Sequence, residues 1–228
     1  MLHSINTLFQ LKVELADSEP LIWRRFLIES DRNFEELHAT IELVMNWPDY
    51  AHYGFEESHP SKGITDRKLV MDDLWNYHHS QVKISEILHM GTKNFHYYHC
   101  SFDYWKHIVH IENILTKNKN SRYPVCIAGE RNCPPEFAES IESFNQYIEN
   151  RKTTIEPVVY SQGDDDTYED FDPLAFNMRE INIELQYIDE YFDLDPYRIP
   201  LEDSDTQEIP ENEILEEFHK QARKEEKS

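Results

Sequence analysis

The sequence predicts an α+β fold, a mainly antiparallel sheet packed with helices and followed by an acidic helical C-terminal extension. Three observations predict it. Alternating polarity marks strands near the start of the chain, a capped helical repeat follows within a few residues, and later strands and helices mix without strict strand–helix–strand alternation. The length of 228 residues suits one domain with an appendage, read here as residues 1–190 and an extension over 191–228. Hydrophobic residues at 39% and aromatics at 13% are enough to build a sizeable core.

In "TLFQLKVELAD" (7–17), Phe9, Leu11, Val13 and Leu15 share one parity, and Gln10, Lys12 and Glu14 the other. That alternation is a half-buried strand. "LIWRRFLIES" (21–30) reads as a second strand, antiparallel to the first. Asn33 then caps a helix, with Glu36 completing a capping box. Phe34, Leu37, Ile41, Val44 and Met45 recur at helical spacing, and Pro48 ends the element. Residues 51–57 and 67–72 read as short strands around a turn containing Pro60 and Gly63, and 83–88 as a short helix.

"NFHYYHCSFDYWKHIVHIENIL" (94–115) reads as a hairpin with its turn near Asp103 to Lys106. With Phe102 opposite His107, His99 lies across from His110 on one face. A helix over 135–151 starts from Pro134-Pro135, since proline suits a first helical turn. Val158 and Val159 form a short extended piece, and the acid-rich "GDDDTYEDFD" (163–172) is a loop. Asp172 and Pro173 open a helix over 172–188. A charged amphipathic helix on Ile214, Leu215, Phe218 and Ala222 closes the chain.

The net charge of -23 is unevenly spread. From Ser161 onward there are 22 acidic against 6 basic residues, net -16, which leaves -7 for the first 160. Lys and Arg must be set against phosphates to bind nucleic acid, so this balance argues against it as a general ligand. Two readings are open for the acidic C-terminal third: a solvated run that keeps the chain soluble, which is the usual role of such charge, or a docking surface for a basic protein partner. Only 5 glycines are present, and no Walker, G-x-G-x-x-G, G-x-S-x-G or H-E-x-x-H pattern occurs. The N-terminus lacks the features of a signal peptide. No apolar run reaches the ~20 residues that span a bilayer. A cytoplasmic protein with reduced thiols at Cys100, Cys126 and Cys133 is expected.

"SRYPVCIAGERNCPPE" (121–136) holds two cysteines, a glycine, three prolines and an Arg-Asn pair. Two readings are open for Cys126 and Cys133. They are thiolate ligands of a zinc site completed by His107 and His52, or they are small buried residues that pack a strand end and a turn. The C-x6-C spacing is longer than that of common zinc knuckles, which favours packing. Gly129 supplies a positive φ or a close approach, and Arg131 ties the turn to an acidic partner. Arg24 shares a face with Ile22, Phe26 and Ile28, so its charge needs a partner. Arg24, Arg25 and Arg131 are the candidates for anion or nucleic-acid contact. The whole bend is expected to dock against the aromatic hairpin bearing Trp105 and His107.

Five blocks occur in an order that resembles the plasmid pRiA4b ORF-3-like family: "EPLIWRRFLIESDRNFEELHATIELVMNW", "YAHYGFE", "WKHIVHIENIL", "YPVCIAGERNCPPE" and "FDPLAFNMREIN". The match spans roughly residues 5 to 190, and "CIAGERNCPPE" is its most specific part. Trp23, Trp105, Gly129 and Pro134 fall in these blocks as structural positions. The family pattern near "YDFGDDWxH" is departed from here. "CSFDYWKH" lacks the glycine and has Ser101 at the first Asp position, while Trp105 and His107 match. The resemblance implies an uncharacterised α+β protein of plasmids and mobile elements, often labelled a "TnpR" passenger. A serine resolvase needs a serine set among arginines and a basic DNA-binding segment, and the acidic end of this chain argues against that label. The reading is therefore a non-catalytic accessory or protein-interaction module. The alternatives are a zinc enzyme on the Cys/His set and a DNA-recombination accessory factor.

Overall fold

Both strands expected at the start of the chain form, and they lie side by side in a wide sheet. The computed structural model describes residues 6–47, 52–57, 63–65, 75–78, 82–88, 93–100, 104–135, 138, 140–153, 161–162, 166–167 and 171–189. All belong to one compact unit, Met1–Asp193. Its strands are β1 (Thr7–Leu15), β2 (Trp23–Glu29), β3 (His52–Glu57), β4 (Gly63–Thr65), β5 (Trp75–His78), β6 (Asn94–Cys100), β7 (Tyr104–Thr116) and β8 (Val125–Glu130). They join in one eight-stranded sheet of order β5-β4-β3-β6-β7-β1-β2-β8. Every neighbouring pair is antiparallel except β4 with β5. A small antiparallel pair, β9 (Ser161–Gln162) and β10 (Asp166–Thr167), stands apart from it.

Alternation sorts the side chains of the sheet into two faces. The inner face carries Phe9, Leu11, Val13 and Leu15 from β1, Arg24, Phe26 and Ile28 from β2, and Phe95, Tyr97 and His99 from β6, all buried. The outer face holds half-buried polar pairs: Lys12 with Glu14, Arg25 with Glu112, and His110 with Glu14.

Helix α1 (Phe34–Met45) lies across the inner face. Phe34 meets the rings of Phe55 and Phe95, and the Val44 carbonyl accepts from Arg24. Both bonds of the capping box at Asn33 and Glu36 are made, a device worth about 1 kcal/mol. A left-handed Asn46 (φ 60) ends the helix just before Trp47. Helix α2 (Ile84–Leu88) is the short helix the sequence predicts. Helix α3 (Ile141–Thr153) buries Phe144, Tyr147 and Ile148, and Asn145 ties it to the β1–β2 turn at Asp17 and Glu19. Helix α4 (Met178–Glu184) runs into a 3₁₀ turn over Leu185–Tyr187.

Four expectations change. The hairpin is tighter than predicted: Cys100 pairs with Tyr104, so His99 lies opposite Trp105, and His110 opposite Asn94. The shift is an odd number of residues, which moves a side chain to the other face. His99 is buried inside, while His110 bonds Glu14 outside. α3 starts at Ile141 rather than at Pro135. Pro135 is used in a turn with Ala138, and the Ser140 hydroxyl caps Ser143 instead. Asp172 and Pro173 form a single turn, with Leu174 bonded to the Asp172 side chain. The helix restarts at Asn177, whose side chain accepts from Glu180. Gly63 opens β4 rather than sitting in a turn. The expected strand at 67–72, the extended piece at 158–159, the stop at Pro48 and the acidic extension at 191–228 lie outside the described residues.

Candidate functional site

The inner face carries an unusual load of polar aromatic groups where β6 and β7 pass beneath α1. Tyr97 and His99 on β6 and Trp105 and His107 on β7 all point inward, because register sets Tyr97 opposite His107 and His99 opposite Trp105. Trp47, delivered by the end of α1, lies among them. Its ring stacks on His99 at 4.5 Å and meets His107 edge-on at 5.0 Å. From α1, His38 shares a 2.8 Å hydrogen bond with the Tyr97 hydroxyl. Its other ring nitrogen lies 3.3 Å from Glu42, and the second Glu42 oxygen lies 3.2 Å from His99 Nε2. The result is a buried row of Tyr97, His38, Glu42 and His99, built from an i, i+4 pair on a helix and two alternate residues of a strand.

His99 and His107 are both fully buried, and burial pushes the imidazoles down to about 4 and about 3. For His107 the nearby His99 adds to the fall, while the backbone at Tyr97 and Trp105 opposes it. The approach of Glu42 to His99 favours the charged ring, so two effects compete. The contact misses hydrogen-bond geometry, and the ring nitrogens of His99 and His107 and Trp105 Nε1 make no well-aligned hydrogen bond among the described residues, the backbone at Tyr97 and Trp105 reaching His107 only outside that geometry. Desolvation therefore prevails and both rings are neutral.

A second cluster ties β2, β8 and the following bend together. Buried Arg24 donates to the carbonyls of Val44, Trp23 and Glu130 at 2.7, 2.9 and 2.9 Å, and to Cys133 Sγ at 3.6 Å. Phe176 covers the guanidinium at 4.6 Å. The expected carboxylate partner is not there among the described residues. The cation is held by three backbone carbonyls, one of them in the last turn of α1, where positive charge is favoured. Gly129 makes this closeness attainable, since a Cβ there would lie 2.7 Å from the Phe176 ring and 2.8 Å from Arg24 Cδ. The left-handed residue in the bend is Arg131 (φ 66), which bonds the Leu21 carbonyl and Glu130. The bend docks on the hairpin through an intermediary: Trp47 Nε1 donates to the Pro134 carbonyl at 2.9 Å, and Trp47 itself touches His99, Trp105 and His107.

Of the residues named for zinc, Cys126 and His107 lie on separate strands of the sheet. Cys126 aligns through Phe26 and Leu11 with Ile111 rather than His107. β8 and β7 are three strand spacings apart, about 14 Å. Cys133 packs on Met45 Sδ at 3.8 Å, and burial lifts its thiol to about 11 despite Arg24. Cys126 is likewise buried, with its thiol raised. The backbone of His52 lies opposite Cys100, and its side chain is outside the described residues. Among the described residues, no three of His, Cys, Asp and Glu are arranged to hold a metal. Nor do the arginines form one patch. Arg24 is inside, Arg25 is paired bidentately with Glu112 on the outer face beside Trp23, and Arg131 is in the bend.

The third feature is the surface of residues 171–189. Ile181, Leu185 and Ile188 are buried, and the Asn182 side chain bonds both the N–H and the carbonyl of Cys126 on edge strand β8. Leu174, Met178, Ile183 and Tyr187 are exposed. These four sit within fourteen residues, and only four other large apolar side chains are exposed among all the described residues. Sequence reasoning passed over His38, Glu42, Trp47, Ile183 and Tyr187. The i, i+4 spacing of His38 and Glu42 was the available signal for the first pair, but their partners come from strands about sixty residues away.

A family described as plasmid pRiA4b ORF-3-like protein matches residues 7–180. The uncharacterized protein y4hQ of Sinorhizobium fredii is 23% identical over 145 residues, covering 64% of this chain and 73% of its own length. A crystal structure of the Methanosarcina mazei protein of unknown function MM3350 is similar with a TM-score of 0.64 and 26% identity. That likeness covers 78% of this chain and 97% of that one. No activity is named for either relative. The family match starts at β1 and runs through every strand of the large sheet into α4, and the chain belongs to the plasmid pRiA4b ORF-3-like family.

Proposed function

We propose that the protein is a non-catalytic interaction module that docks another protein on the face formed by residues 171–189, with the accessory, mobile-element setting that its family's plasmid name suggests. The observation that carries this reading is that α4 and its 3₁₀ turn are apolar on two sides. Ile181, Leu185 and Ile188 satisfy the core, while Ile183 and Tyr187, four residues apart, are 43% and 55% exposed. A surface helix ordinarily keeps its outward side polar, and clustered exposed apolar groups mark interaction sites. The groups with chemical potential, His99, His107, Cys133 and Arg24, are by contrast buried and locked in packing.

A photo-crosslinking amino acid placed at position 187 in the native host tests the reading, with position 114 as a control whose isoleucine is 64% exposed. The expected result is one discrete product from 187, abolished by Ile183→Lys, and none from 114. The same products from both positions, or a product insensitive to Ile183→Lys, would refute the reading.

A further inference from the structure

We infer that the partner of this face is a lysine- or arginine-rich amphipathic segment, an inference that rests on the docking role proposed above and names its ligand. Ile183 and Tyr187, one helical turn apart, form the apolar strip that supplies the anchor points, and Leu174 (67% exposed) and Met178 (40%) are further exposed apolar groups of the segment. Around it stand carboxylates. Asp172, Glu180, Glu184 and Asp189 are all exposed, and Arg179 is the only cation in the described segment 171–189. Asp189 already receives Arg32 at 2.5 Å, yet its side chain keeps 68% of its exposure, so it can face a second cation. Apolar anchors fringed by one sign of charge match a helix whose apolar side is flanked by the opposite sign.

Charge also discriminates among occupants. A second copy would bring another carboxylate fringe and another -23 chain against this one. Phosphate backbones and anionic lipid surfaces would meet the same repulsion. A basic segment alone gains from both the strip and its rim. Because the rim is exposed, its contribution is screened by salt, while the apolar contribution persists.

The test uses the full chain and three fluorescent peptides: an amphipathic Lys/Leu helix, a Glu/Leu helix of the same pattern, and a Lys/Ser peptide of equal charge. Fluorescence anisotropy at low and high salt should show binding of the Lys/Leu helix only. Ile183→Ser/Tyr187→Ser should weaken it about tenfold, as loss of central anchors does. Glu180→Gln/Glu184→Gln should weaken it about threefold at low salt and flatten the salt dependence. Ile114→Ser should change nothing, and circular dichroism confirms that each variant is folded. Equal binding of the Lys/Ser peptide, or unchanged affinity in Ile183→Ser/Tyr187→Ser, overturns the inference. So does a concentration-dependent dimer that Tyr187→Ser dissolves, which would make a second copy the occupant. A position-187 crosslink together with indifference to the Lys/Leu helix would overturn the partner's chemistry and leave the docking role standing.

Discussion

Lowering the pH from 8 to 5 should cost the fold about 4 kcal/mol through two side chains alone. In the native state His99 and His107 are held neutral down to about pH 4 and pH 3. In the unfolded chain both titrate near 6.5. Between those values the unfolded state binds more protons, so stability rises with pH in this window and is lost as pH falls below 6.5. Above 6.5 the contribution is complete. At pH 5 each ring has cost about 2 kcal/mol, with a slope approaching 1.4 kcal/mol per pH unit per ring. Against a typical total of roughly 5–15 kcal/mol, that is a large loss. Acidification also relieves repulsion among the many carboxylates, so the total curve is not the cleanest readout. The difference between the protein and His107→Phe isolates one ring, since phenylalanine fills the space without a proton site. Urea midpoints followed by tryptophan fluorescence at pH 8, 7, 6 and 5 should show the variant gaining about 2 kcal/mol relative to the parent between the ends. A difference that does not change with pH, or one that changes in the opposite direction, would refute the neutral-ring reasoning. The second outcome would mean that the His107 ring is charged in the folded protein.

Gly129→Ala should destabilise by about 1–3 kcal/mol through overpacking, because the new Cβ would sit 2.7 Å from the Phe176 ring. Adding Phe176→Leu should recover part of the loss in thermal melts. Arg24→Met should cost about 3 kcal/mol, since it strips donors from buried carbonyls, and Arg24→Lys should fail to restore it because one ammonium cannot reproduce the fork. Chemical denaturation measures both. Cys133, with its thiol near 11, should resist alkylation at pH 8 in the folded protein and react at an ordinary rate once unfolded. Mass spectrometry after timed iodoacetamide treatment reads this directly.

The sheet and its first helix were legible because their signals are local. Alternation over 7–15, the Asn33–Glu36 box and the apolar run of α1 each specify their element within a dozen residues. The hairpin was legible as a hairpin but not in register. Register there depends on how few residues make the turn, and "CSFDYWKH" carries no glycine to fix it. That single uncertainty decides whether His99 joins the core or the solvent face, so the buried imidazole cluster could not be read from spacing. The same limit applied at 172–178. An Asp-Pro start is a sound helix signal, but Phe176 is drawn inward onto Arg24 and splits the segment. Cys126 and His107, two of the residues named for zinc, are set apart for a topological reason. β1 and β2 run between β7 and β8, although β7 and β8 are adjacent along the chain. Nothing local in "CIAGERNC" reveals that.

The Asn182 amide sits against Cys126 on the outermost strand of the sheet. A sheet ends in a row of unsatisfied peptide groups that invites other chains to add strands. By offering one N–H and one C=O to the same residue, this side chain imitates a ninth strand for a single rung and stops the ladder there. The segment proposed above as a docking face is thus also the plug on the sheet's margin. Docking that presses the segment inward keeps the plug seated. Peeling it away would leave the Cys126 peptide groups on edge strand β8 open to strand addition.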